Sequence, residues 1–316
     1  MKSLYATRRG AALPCPPARR EWPSPCTRAA LRASLFILWL AFLCFPVEAQ
    51  NRPSLLPQLH SGQKLTYQIR VRINKRTRSE SHVATPSTTG EGPVDILRTI
   101  DVEILDVAPG NPRAKLVLRV HIQDPSISPP DTKSLELSIA SDGTVIPPPG
   151  ADALSSEDAQ AWQAWLARFA VAWTLPAKAP KLGEKWTADE PIDGTPLARL
   201  SWQKESQYVR HEKCPGAPSP DEQCAALLST ATLRQRSSPK DATPDDYKQR
   251  DLKTKGTATG RNETFTYISL RTGIVVRSSE EAHQLMDVLI AKSDGSNQVH
   301  YNIDATSSTE MRLITP

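Results

Sequence analysis

The chain has 316 residues, with 39 Lys and Arg against 34 Asp and Glu, 28 prolines and five cysteines. The whole formal charge of +5 sits in residues 1–49, where Lys2, Arg8, Arg9, Arg19, Arg20, Arg28 and Arg32 face only Glu21 and Glu48. The remainder is formally neutral, which excludes global steering toward nucleic acid, and it holds no apolar run of the ~18 residues that a transmembrane helix needs.

The first element in chain order is the apolar run Leu35–Phe45, behind a basic leader and ahead of Pro46, Val47, Glu48 and Ala49. The small residues Val47 and Ala49 complete the pattern of a secretory signal cut before Gln50. The expectation is a secreted or periplasmic protein with residues 1–49 removed and no membrane span left. The alternative is an uncleaved anchor around residues 29–46, at the cost of placing Arg32 in the membrane. The leader is long for a signal, so a start misplaced upstream stays open. Cys44 does not read as a lipid attachment site, because the preceding Leu43 is bulky.

Residues 50–150 read as an N-terminal β half. Leu65, Tyr67, Ile69, Val71 and Ile73 alternate with polar residues, the period of a strand with one buried and one wet face. Residues 76–93 turn polar and predict a loop or long hairpin connection. Val94, Ile96, Ile100, Val102 and Ile104 resume the alternation, interrupted by Arg98. Pro109-Gly110-Asn111-Pro112 marks a turn before Leu116, Leu118, Val120 and Ile122, and Pro125, Pro129 and Pro130 end that strand. Leu135, Leu137 and Ile139 form another, followed by the Asp142-Gly143 turn, Thr144–Ile146 and Pro147-Pro148-Pro149-Gly150. The pattern is an antiparallel meander.

Residues 151–178 predict one helix and a linker. Ser155 is the N-cap, and Glu157 and Asp158 complement the dipole in the first turn. Trp162, Trp165, Leu166, Phe169 and Trp173 recur at helical spacing as one stripe, which Pro176 closes. Such a stripe needs a broad apolar partner. It packs as ordinary core on the alternating face of the meander, or it lids an apolar cavity inside a curved sheet.

Residues 179–316 read as a C-terminal β half. Lys185-Trp186-Thr187 opens it, Leu200, Trp202 and Tyr208 share a strand, and Leu227–Leu233 makes the next. Between these lie Cys214 and Cys224, the two thiols left after the leader; in an oxidising compartment they pair, closing a short loop. Residues 237–251 form a charged loop. A hairpin follows at Phe265–Val276 about Arg271-Thr272-Gly273, and a second at Ala282–Ala291 and Gln298–Ala305 about Asp294-Gly295. The halves echo one another: Ser61–Thr66 resembles Leu182–Thr187, and Asp142–Ile146 resembles Thr272–Val276. Whether that marks a duplication stays open.

No catalytic motif stands out. The histidines His60, His82, His121, His211, His283 and His300 form no His-x-His or His-Glu-x-x-His pattern, so no metal site is predicted. There is no Gly-x-Ser-x-Gly elbow or phosphate loop, and no cofactor is expected. Asp245, Asp246 and Asp251 fit no calcium loop and read as a solvated segment. Lys64, Arg70, Arg72, Lys75, Arg76 and Arg78 form a run of six cations without an acid. They read either as a protected edge strand or as a contact for anionic lipid headgroups. Asn262-Glu263-Thr264 matches a glycosylation acceptor.

The stretch Gly62-Gln63-Lys64-Leu65-Thr66-Tyr67, the Asp142-Gly143 turn, the aromatic helix and Leu182-Gly183-Glu184-Lys185-Trp186 resemble a loose class of exported bacterial β-rich proteins of unknown function. In architecture the chain is similar to periplasmic lipoprotein carriers of the open-barrel type. That resemblance implies a lipid-like ligand under a helical lid and supplies no site residues. The expected fold is mainly β: antiparallel meanders in a curved sheet, half-barrel or sandwich with one central amphipathic helix. The leading function is a non-enzymatic envelope protein that binds an apolar ligand or a partner surface. The alternatives are a secreted hydrolase assembled from separate strands, using His121, His211 and the loop acids, or a purely structural domain.

Overall fold

The computed structural model describes residues 55–81, 87–107, 115–127, 132–140, 143–146, 148–176, 178–192 and 194–315. The leader 1–49 with its three cysteines, the Pro109–Pro112 turn, His82, Pro129, Pro130, Asp142 and Pro147 lie outside the described residues.

Eleven strands make one antiparallel sheet: β1 (Lys64–Ser81), β2 (Ser87–Val107), β3 (Leu116–Gln123), β4 (Thr132–Ile139), β5 (Val145–Ile146), β6 (Lys185–Ile192), β7 (Leu200–Lys213), β8 (Gln223–Gln235), β9 (Leu252–Ser269), β10 (Val275–Lys292) and β11 (Val299–Thr315). The spatial order is β5-β4-β3-β2-β1-β11-β10-β9-β8-β7-β6, so β5 and β6 are the edges and the sheet does not close. Helix α1 (Ser156–Phe169) runs on as a 3-10 turn through Thr174 and links those two edges in sequence. A short helix α2 (Asp245–Gln249) lies in the charged loop. No helix among the described residues is long and apolar enough to cross a membrane.

Two meanders, β1–β5 and β6–β11, are fused by the ladder of β1 with β11, which runs from Thr66↔Thr315 to Ser81↔Val299. Successive residues alternate between faces. Tyr67, Ile69 and Val71 of β1 therefore share the inner face with Met311 and Leu313 of β11 and Ile100 of β2. One apolar core joins α1 to side chains of β1–β4 and of β7–β11, which a flat sheet could not bring together. A second core, of Leu197, Leu200, Leu233, Ala258, Met286 and Val288, lies on the same face at the far end of β7–β10.

Several boundaries differ from the sequence reading, always where the chain is polar. Residues 76–81 continue β1 and residues 87–93 belong to β2, instead of forming a loop. Ile274–Val276 and Ala282–Ala291 join into the single strand β10, and β11 continues through Thr306–Glu310 to Thr315. Residues 76–79 and 306–310 are held by ladders on both sides and residues 87–91 by the ladder with β1 alone, so backbone pairing substitutes for an apolar face. The same topology corrects the edge reading of the basic run. β1 lies between β2 and β11, and Arg70 and Arg72 both pair with Asp95 of β2.

The echo between the halves is physical. Gly62 and Gly183 both take positive φ, +82° and +80°, conformations that favour glycine. Gly62 N–H donates to Ile104 O as Gly183 N–H donates to Tyr208 O. Gln63 N–H donates to His60 O as Glu184 N–H donates to Lys181 O. Even the side chains correspond, Gln63 accepting from His60 N–H and Glu184 from Lys181 N–H.

Candidate functional site

Helix α1 begins as its sequence dictates. Ser155 sits in extended geometry and its Oγ accepts the Asp158 N–H at 3.1 Å. Trp162, Trp165, Phe169 and Trp173 are buried against the inner face. They form a ring-on-ring ladder: Trp162–Trp165 at 5.4 Å, Trp165–Phe169 stacked at 4.9 Å and Phe169–Trp173 at 5.7 Å, with Tyr67 edge-on to Trp165 and Phe169. Each such ring contributes roughly 4–6 kcal/mol of burial before entropy, at about 25 cal/mol per Å². The seam is not fully satisfied. Tyr67 Oη, Trp165 Nε1, Trp173 Nε1 and Tyr208 Oη have no hydrogen-bond partner among the described residues, at about 1–3 kcal/mol each. Burial also raises both tyrosine pKa values, that of Tyr208 to about 12, so both phenols stay neutral near pH 7.

Arg98 fixes the start of the helix. It occupies an inner position of β2 in phase with Ile96 and Ile100, and is 6% exposed. Its Nε donates to Asp158 Oδ1 at 2.7 Å, its Nη2 to Glu157 Oε2 at 2.8 Å, and its Nη1 lies 3.1 Å from Asp124 Oδ2. Burial alone would lower the Arg98 pKa. The hydrogen bonds to Asp158 and Glu157 outweigh it and raise the value. The break in the alternation at Arg98 was thus the one sequence sign of the clamp.

The predicted stripe divides at Leu166. Its aromatic members face β1–β4, while Leu166 is half-buried and turns toward β7–β10. There a cavity of about 440 Å³ separates the helix from the sheet. Val145, Leu166, Ala167, Ala170, Val171, Ala231 and Trp202 supply its apolar lining. Trp202 can lie there because β9 offers Gly260: a Cβ at that position would come within 2.8 Å of the indole. The wall is not wholly apolar, contrary to the greasy interior implied by the sequence. Ser229, Asn262, Thr264, Thr266 and Glu280 line it as well.

At the cavity the helix contributes Arg168, 6% exposed. Its Nη1 donates to Ala164 O at 2.6 Å and its Nη2 lies 3.1 Å from Glu280 Oε1, an ion pair without hydrogen-bond alignment. Its Nε has no acceptor among the described residues. Burial lowers the Arg168 pKa and Glu280 opposes that shift. The Thr264 hydroxyl meets the other Glu280 oxygen, Oε2, at 3.2 Å. A second ion pair, Lys204 with Glu190 at 3.3 Å, lines the same cavity from β7 and β6. Neither Arg168 nor Glu280 was singled out in the sequence. An arginine in the last turn of a helix has a sufficient explanation in the dipole.

Other predicted residues fall elsewhere. Cys214 and Cys224 form the expected disulfide, with Cα atoms 5.0 Å apart. Its loop is tied to the β9–β10 turn by Glu222, which accepts from Ser269 Oγ and pairs with Arg271 at 2.9 Å. Asn262 lies within β9 and lines the cavity, not a surface loop, which removes the ground for reading it as a glycan acceptor. His121 and His211 lie on β3 and β7, and neither lines the cavity. Asp245 and Asp246 pair with Lys248 and Arg250 along α2. The described residues contain no cluster of three or more metal-ligating side chains.

No family model and no curated protein matches the chain. Among solved structures it is similar to a protein described as a lipoprotein from Parabacteroides distasonis, at 10% identity and TM-score 0.30, covering 80% of this chain and 98% of that one. It is also similar to the outer membrane protein OprG from Pseudomonas aeruginosa, at 8% identity and TM-score 0.18, over 82% and 100% of the two chains. A third is Ail, the attachment invasion locus protein of Yersinia pestis, at 6% identity and TM-score 0.12, over 80% and 99%. Likenesses this slight carry no argument about function.

Proposed function

We propose that this protein is an exported, non-enzymatic envelope protein that holds one amphiphilic ligand between α1 and the inner face of its sheet. The observation that carries this reading is the cavity of about 440 Å³ under the helix, lined by Leu166 and Val171 from the helix and, from the sheet, by Trp202 beside hydroxyl, amide and ion-paired side chains. Its size lies within the range of small-molecule sites, and its mixture of apolar lining with a few convergent polar groups suits a ligand with a tail and a head. The leader adds the compartment: a cleaved signal would deliver the protein to where such ligands must be kept from water. Binding of this kind needs burial and no nucleophile. The hydrolase reading gains nothing comparable, because His121 and His211 stand apart from the cavity.

Titration with N-phenyl-1-naphthylamine, an uncharged apolar dye, tests the reading. One saturable site with micromolar affinity and enhanced dye emission is expected. Weakened dye binding in Leu166→Asp would place the site at the cavity. A linear, unsaturable response would contradict the proposal.

A further inference from the structure

The polar corner of the cavity has an imbalance that the carrier reading does not use. The ion pair of Arg168 with Glu280 there is formally neutral. Its hydrogen-bonding capacity is not filled. Both Glu280 oxygens are engaged, Oε1 by Arg168 and Oε2 by the Thr264 hydroxyl. Arg168 keeps a buried Nε–H with no acceptor among the described residues, and its Nη2 is poorly aligned on Glu280. A guanidinium has five donors and no acceptor, so the unpartnered Nε–H of Arg168 is a donor that only an incoming acceptor can use. Leu166 and Val171 of the helix line the same cavity.

We infer that the head of the ligand is an oxyanion, a carboxylate or phosphate at the end of an acyl chain, and that it is received by the Nε and Nη2 edge of Arg168. That edge presents two parallel N–H groups, the geometry in which arginine binds carboxylates and phosphates bidentately. Glu280 then acts as a placeholder that keeps the guanidinium charged and positioned until the head arrives. Thr264 and Asn262 lie on the adjoining inner positions of β9 and complete a polar pocket around it. The tail runs along Leu166 and Val171 of the helix.

This inference rests on the carrier reading, and the test separates the two. Displacement of bound N-phenyl-1-naphthylamine is measured with myristate, myristyl alcohol, methyl myristate and, as a tail-free oxyanion, acetate. Wild type is expected to bind myristate about tenfold more tightly than the alcohol or ester, the effect of a hydrogen bond to a charged group. Acetate should compete only far more weakly. Arg168→Met should abolish the preference for the acid while retaining the alcohol, Arg168→Lys should keep part of it, and Glu280→Gln should enlarge it by removing the competing carboxylate. Glu280→Gln preserves size and shape, so it reads the effect even if Arg168→Met does not fold. Equal binding of acid, alcohol and ester in wild type would overturn the oxyanion assignment and leave the carrier standing. Failure of every long-chain compound and of the dye would overturn both. Acetate competing as well as myristate would show an anion site without a tail and would contradict the inference.

Discussion

The two walls of the inner face were built for different tasks. On β1–β4 nearly every inward residue is a buried Leu, Ile, Val or Tyr, and the aromatic ladder of α1 is seated on them. On β7–β10 the inward Tyr208, Leu227 and Ile268 join the same core, but beside them Ser229, Asn262, Thr264, Thr266 and Glu280 face a cavity between helix and sheet. The first wall holds the helix in place, and the second leaves room beside it. A single helix thus acts as structure along one edge and as the boundary of a cavity along the other.

The contrast can be broken most forcefully at the first wall. Trp165→Ala removes a fully buried indole stacked on Phe169 and should cost about 3–5 kcal/mol, read as a lowered denaturant midpoint. Arg98→Met releases the helix start from β2 and leaves Asp158 and Asp124 partly buried without their cation. A loss of about 2–3 kcal/mol is expected, with amide exchange rising first in residues 156–160. Replacing Cys214 and Cys224 together by Ser should cost about 2 kcal/mol, since the loop spans only ten residues in sequence. At the second wall the sign differs. Arg168→Met combined with Glu280→Leu removes a buried ion pair as a unit, and stability should be unchanged or higher, by about 1 kcal/mol.

The smallest effect concerns pH. Burial tends to raise the Glu222 pKa, but the hydrogen bonds from Ser269 and Arg271 prevail and hold it below its ordinary value of 4.5. A depressed folded value means that the stabilisation is present above pH 4.5 and is lost as pH falls through the folded pKa. Glu222→Gln should therefore be less stable than wild type at pH 7 and approach it near pH 3, in paired thermal melts.

The sequence made the first wall legible and the second almost invisible, for a physical reason. A strand that buries Leu65, Tyr67, Ile69 and Val71 announces itself by the period of its apolar residues, and so does a helix that buries Trp162, Trp165, Phe169 and Trp173. Thr306-Ser307-Ser308-Thr309-Glu310 belongs to the central ladder of the sheet, yet nothing in its composition separates it from a loop. The cavity shares that obscurity, because Ser, Thr and Asn facing a site look like the same residues facing water. The disulfide was legible because only two cysteines follow residue 49. Arg98 was visible as a defect in a pattern, while Arg168 and Glu280, 112 positions apart, had no local signature.

Native mass spectrometry of the gently purified protein tests the division between the walls most directly, comparing wild type with Ala231→Phe, which fills the cavity from β8 and leaves the aromatic ladder untouched. One amphiphile per chain is expected on wild type and none on the variant, with both equally folded. Bare chains in both samples, or the same adduct on both, would contradict the account.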